Sequence, residues 1–158
     1  MSLLKKLGFS KQESPKPRLV DRLFDPKQGW SESQDTMPVT RVLTSQGLHA
    51  FVVHVQGYPC TVFQVDQWHP KSSMQTPANR IVARALIADK QVVNALAFLK
   101  TNFEMAGLPS LSVDPDGAIY LQCAFPADED FPVGLARKQL LNCLGLLAEN
   151  CAIFNRAS

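Results

Sequence analysis

The residues best suited to covalent chemistry are Cys60 and the histidines His49 and His54. A Cys–His pair can generate a thiolate nucleophile. His49 and His54 are five apart on an expected strand, so they point to opposite faces, and one of them can meet Cys60 across a hairpin. The sequence supplies neither an orienting third group nor an oxyanion hole, and the ordinary role of such residues in strands is structural. The other cysteines, Cys123, Cys143 and Cys151, sit in apolar settings, and none of the four forms a C-x-x-C pair. Buried, reduced thiols are expected, with no zinc or redox site.

Two acidic groups invite a metal or catalytic reading. Asp114-Pro-Asp-Gly117 superficially resembles a calcium loop, but a calcium loop needs Gly at position six and Glu at position twelve. Here Gly117 is fourth and Phe125 is twelfth. The tetrapeptide instead fits a type I turn, with Pro at its second place and Gly at its fourth. Asp128, Glu129 and Asp130 precede an expected helix, where they complement its dipole as a solvated cap. No G-x-G-x-x-G, Walker A, H-E-x-x-H or G-x-S-x-G pattern occurs. No catalytic residue, metal or cofactor is therefore assigned.

These groups must be positioned by the elements around them. Thr36, Pro38 and Gly47 suggest the cap, first turn and C′ residue of a helix over 37–46. The segment 50–55 is a strand with Phe51, Val53 and Val55 on one face. Residues 56–59 turn, and 60–65 return with Phe63 and Val65 sharing a face. A polar connection of residues 66–79 carries Trp68, either as a tether to the body or as an aromatic anchor for a partner.

Residues 80–88 form a third strand, with Ile81, Ala83, Ala85 and Ile87 on one side. Asp89 is expected to cap a helix over 90–106 with the apolar stripe Val92, Leu96, Leu99, Phe103 and Ala106. A second hairpin runs from Leu111 through Asp114–Gly117 to Phe125. The last helix, 132–155, carries Leu140, Leu144, Leu147, Cys151 and Phe154 in one row, widened by Leu141 and Ala148. That face exceeds what one side of a sheet needs, so it implies either a deep core or a contact with a second copy.

The expected order is α-β-β-β-α-β-β-α. It describes an α+β domain with a mostly antiparallel sheet and helices on one face. The domain spans residues 36–158, after a flexible basic arm over 1–35.

The 158 residues suit one domain, and 46% hydrophobic content suffices for one core. The net charge is +2. Residues 1–30 hold seven basic and three acidic side chains, a surplus of +4 that leaves −2 for the other 128. Arg80, Arg84, Arg137 and Lys138 are too few and scattered for a nucleic-acid binder, which would interleave aromatic and basic residues on a sheet. The first ten residues are no secretory signal, because Lys5 and Lys6 interrupt the apolar run, and a cytoplasmic location follows by default. No stretch is apolar enough to span a bilayer. The arm holds two short clusters of helical spacing, Leu3/Leu4/Leu7/Phe9 and Leu19/Val20/Leu23/Phe24, readable as a frayed terminus or as a segment that orders on a partner or an anionic membrane.

The helix ending at Gly47, the hairpin after it, the strand at 80–88, the helix holding Ala95-Leu96 and Asn102, the hairpin Leu111-Ser-Val-Asp-Pro-Asp-Gly-Ala-Ile-Tyr-Leu121 and the long terminal helix together resemble the YbjN-type family over about residues 37–155. That family shares its fold with the type III secretion chaperones. The resemblance implies a small α+β domain that commonly dimerises, has no catalytic residues and, as in the chaperones, holds extended client segments. Secretion chaperones are generally acidic, which this near-neutral chain with its basic arm is not.

These readings converge on a non-enzymatic, chaperone- or adaptor-like binding domain acting as a homodimer with a protein client. Phe51, Val53, Phe63, Trp68, Leu140, Leu144 and Leu147 are expected to divide between core and interface. The alternative is a peripheral protein that docks on an anionic membrane or larger assembly through Leu3, Leu4, Lys5, Lys6, Leu7 and Phe9. A Cys60–His enzyme is the third reading.

Overall fold

A computed structural model of the chain describes residues 17–30, 37–68, 78–89, 94–106 and 108–156. Its centre is a six-stranded antiparallel sheet in the order β1-β2-β3-β4-β6-β5. The strands are β1 (Val39–Leu43), β2 (His49–Val55), β3 (Tyr58–Trp68), β4 (Ala78–Ala88), β5 (Ser110–Val113) and β6 (Ile119–Pro126). Three helices complete the domain, namely α1 (Leu19–Leu23), α2 (Ala95–Glu104) and α3 (Val133–Arg156). The class is α+β, as the alternation of strand and helix patterns predicts.

Alternation decides which face is buried. Phe51, Val53 and Val55 of β2, Cys60 and Val62 of β3, Ile81, Ala83 and Ala85 of β4, and Leu121, Cys123 and Phe125 of β6 form the inner face. The long helix α3 lies across it, and its row Leu140, Leu144, Leu147 and Cys151 is buried there. Leu140, Leu144, Leu147 and Phe51, expected to divide between core and interface, are therefore all core.

The helix expected over 37–46 is instead strand β1. Val39, Thr40 and Val42 are β-branched and prefer the pleated surface. Their ladder pairs Val39 with Val53 and Leu43 with His49. Gly47 (φ +73°) stands in the hairpin turn, where the Gly47 N–H donates to the Thr44 carbonyl. A left-handed glycine serves a helix C′ and a hairpin turn equally, which is why the two readings competed.

The first helix lies earlier, at Leu19–Leu23, inside the segment expected as a flexible arm. Five residues are too few for a helix to persist alone. Burial holds this one, since Leu19, Val20 and Leu23 are fully buried against α3 and the sheet. Phe24 stacks on Phe51 at 4.4 Å and meets Trp30 edge-on at 4.8 Å. The cluster Leu3, Leu4, Lys5, Lys6, Leu7 and Phe9 lies outside the described residues.

The other local signals divide. The turn at Asp114–Gly117 forms, with the Asp114 carboxylate accepting from the N–H groups of Asp116 (3.0 Å) and Ala118 (2.9 Å). The β2–β3 hairpin turns on Gln56 (φ +51°) and Gly57 (φ +85°), so Pro59 belongs to β3 opposite His54. Trp68 ends β3 rather than lying in a loop, and its side chain is outside the described residues. Asn94, not Asp89, caps α2, accepting from the N–H groups of Leu96 and Ala97 at 3.1 Å. The expected stripe of α2 is not core, for Leu96, Leu99 and Phe103 are 63%, 64% and 87% exposed.

Candidate functional site

The described thiols are built for packing. The Cys60 side chain points into the core opposite Val53, and burial pushes its thiol up to about 12. A thiol held that far above neutrality carries almost no thiolate. Cys123 donates its S–H toward Cys143, and that bond together with burial holds the Cys123 thiol above the ordinary range. Neither histidine serves Cys60. His54 is exposed on the opposite face of the sheet, and the His49 Nδ1 lies 2.5 Å from an Asp21 carboxylate oxygen. The Cys60–His dyad is not assembled.

Asp21 and His49 instead tie α1 to the first residue of β2. A larger polar cluster secures the other flank of α1. Gln64 is the one buried polar side chain among the described core residues, 5% exposed. Its carbonyl oxygen accepts the Val20 N–H at 3.0 Å, and its amide nitrogen donates to Asp66 (2.6 Å) and Glu129 (2.7 Å). Arg18 bridges to Asp66 at 2.7 Å and to the backbone carbonyl of Gln64 at 3.1 Å. Arg22 donates to the backbone carbonyl of Glu129 and pairs with its carboxylate at 3.5 Å.

Glu129, expected as part of a solvated cap, is therefore a link between β3, α1 and the β6–α3 connection. Sequence gives no signal for it, because its partners stand 65 and 107 positions away. Beside this cluster a cavity of about 350 Å³ is lined by Arg18, His49, Phe63 and Asp66 together with the Thr44–Gln46 turn. Its polar groups are already matched, Arg18 with Asp66 and His49 with Asp21. What the cluster does chemically is clamp a short helix.

Phe63 lies on the outer sheet face, away from α1 and α3. The Arg84 guanidinium sits 5.1 Å from the Phe63 ring and 5.3 Å from the Tyr120 ring, and donates to the Gln122 side chain at 3.1 and 3.2 Å. Ser112 and Tyr120 extend the patch towards Asp114, which accepts from the Tyr120 hydroxyl at 3.2 Å.

Two further features have no cover among the described residues. On α2, Leu96, Leu99 and Phe103 form one apolar line at spacings of three and four. The other side of the helix, with Phe98, Thr101, Asn102 and Met105, is partly buried. On the sheet, the two edges are treated differently. Beside β5, Asn102 of α2 accepts the Leu111 N–H at 2.6 Å and donates to the Leu111 carbonyl at 3.2 Å. At β1, every residue after Val39 is exposed.

Of the residues expected to bind a partner, the described ones separate cleanly. Phe51, Leu140, Leu144 and Leu147 are core, and Phe63 is on the outer face. The residues that sequence reasoning missed as surface are Leu96, Leu99 and Phe103, because an amphipathic stripe is read as core by default. Among the described residues no cluster of His, Cys, Asp or Glu could hold a metal ion, and no helix is long and apolar enough to cross a membrane. No protein-family model matches the chain, and no curated protein matches it either.

Proposed function

We propose that this chain is a non-enzymatic protein-binding domain, chaperone- or adaptor-like, that acts as a homodimer in the cytoplasm. The observation that carries the reading is the line Leu96, Leu99 and Phe103 on α2. A Phe at 87% exposure beside two leucines above 60% is costly to leave in water, and such patches mark interaction sites. The occupant that suits a self-complementary helix face is the same face of a second copy, which a two-fold axis brings together. The resemblance to the YbjN-type family points the same way.

The test is light scattering of the purified full-length protein and of Leu99→Asp and Phe103→Asp. A dimer that the two substitutions split into folded monomers supports the reading. A wild-type monomer across the micromolar range, or variants that remain dimeric, overturns the dimer.

A further inference from the structure

We propose that the open edge of β1 takes up an extended segment of a partner protein as a seventh strand, with a carboxylate of that segment opposite Arg41; this rests on the protein-binding reading above.

The argument begins with where the β1 backbone groups point. In an antiparallel ladder successive residues alternate between bonding the neighbour and facing away from it. The His54 N–H donates to the Pro38 carbonyl, and the Thr44 N–H donates to the Leu48 carbonyl. Even-numbered residues of this strand therefore face β2, and Val39, Arg41 and Leu43 direct their N–H and C=O groups outward. Among the described residues nothing bonds those outward groups.

The opposite edge shows that the fold can close one. In β5 the same parity holds, since the Asp114 N–H donates to the Ala118 carbonyl, so Leu111 faces outward. Its N–H and C=O are the pair taken by Asn102. Edges are ordinarily blunted by a covering element, charged side chains, a proline within the strand or a bulge. Within β1 there is no proline and no bulge, Arg41 is the one charged side chain, no described element covers the strand, and its side chains Val42 and Leu43 (67% exposed) add apolar surface. Main-chain pairing along such an edge supplies affinity, and pockets for alternate side chains supply specificity.

Charge selects the occupant. Arg41 is exposed and has no ion pair among the described residues. It lines a cavity of about 260 Å³ with Phe24 and Phe51; of the other charged groups on its wall, Asp21 is bonded to His49, Arg22 to Glu129, and Asp25 accepts the Lys27 N–H, so a side chain opposite Arg41 on an added strand lies over aromatic rings and beside the Arg41 guanidinium. A second copy pairing β1 with β1 in full register sets Arg41 against Arg41, and like charges directly opposed are destabilising. The chain's own residues 1–16 carry four lysines and one glutamate, and Pro15 lacks an N–H to pair. A partner segment with a carboxylate at that position meets neither objection.

The experiment uses the full-length protein and two nine-residue peptides, Ser-Thr-Val-Thr-Glu-Thr-Val-Thr-Ser and the same sequence with Lys at its centre. Binding is followed by calorimetry and by amide hydrogen exchange at β1. The Glu peptide is expected to bind about tenfold tighter than the Lys peptide, the sum of one opposite-charge and one like-charge cross-strand pair. It should slow exchange at Val39, Arg41 and Leu43. Arg41→Glu should reverse the preference. Arg41→Pro should abolish binding of both while leaving the fold intact, because the lost N–H faces away from β2.

Unchanged exchange at those three amides with the Glu peptide, or equal binding by Arg41→Pro, overturns the proposal. So does concentration-dependent protection of those amides without peptide, which would assign the edge to a second copy. Leu99→Asp separates this from the dimer reading. It should keep peptide binding whether or not the wild-type protein is a dimer.

Discussion

Arg137 of α3 closes the C-terminal end of α1, donating to the Leu23 carbonyl from two nitrogens at 3.1 and 2.9 Å and to the Gln28 carbonyl at 3.0 Å. The last carbonyls of a helix have no partner within it, so a side chain from elsewhere must satisfy them. Burial lowers the Arg137 pKa from its ordinary value, though the guanidinium stays charged at neutral pH. Arg137→Ala should cost about 1–3 kcal/mol, and Arg137→Lys should recover only part of it, because an ammonium cannot span both carbonyls. Urea unfolding of the three proteins measures this.

Gln64 is the second anchor of α1. Replacing it with Leu keeps the volume but strands the Val20 N–H and removes the donor to Asp66 and Glu129. A loss of about 1–3 kcal/mol is expected from the buried unpaired groups. Gln64→Glu should be worse than Gln64→Leu, because it sets a third carboxylate beside two. Thermal unfolding of both variants gives the order.

Cys60 makes stability depend on alkaline pH. Its thiol rises from 9.0 unfolded to about 12 folded, so the native state holds the proton more tightly. The contribution is fully present below pH 9 and is lost as the pH climbs from 9 towards 12. Cys60→Ala should flatten that part of the curve while lowering stability at pH 7 through lost packing. A thiol reagent at pH 8 should leave native Cys60 unmodified and reach it once the protein is unfolded in urea. Rapid native labelling of Cys60 would refute the buried geometry.

The left-handed Gln56 is a position to improve. Its φ of +51° in a two-residue hairpin suits Asn or Gly better than a longer side chain. Gln56→Asn should raise stability by about 0.5–1 kcal/mol without touching the core. Differential scanning calorimetry tests it.

Legibility of this sequence followed the range of each interaction. The strand faces at 51–55 and 81–87, the Asp114–Gly117 turn and the row Leu140, Leu144, Leu147 all arise from neighbours in sequence, and they were readable. The polar cluster around Gln64 was not, because Val20, Asp66 and Glu129 converge from three elements. Strand β1 was misread as helix because Pro38 and Gly47 serve either structure, and only the pairing with β2 decides between them. The stripe on α2 was legible in Leu96, Leu99 and Phe103, but its exposure was not, and Val92 lies outside the described residues. Periodicity reports that a face is apolar, not what lies against it.

The Asn102 seal on β5 has a consequence for how copies of this domain can stack. A sheet open at both ends can join head to tail without limit, one molecule's edge templating the next. With Leu111 already occupied, β5 of one molecule cannot serve β1 of another. Copies therefore cannot chain through β5, and a pairing made at β1 cannot pass from one domain to the next through the opposite edge of the sheet.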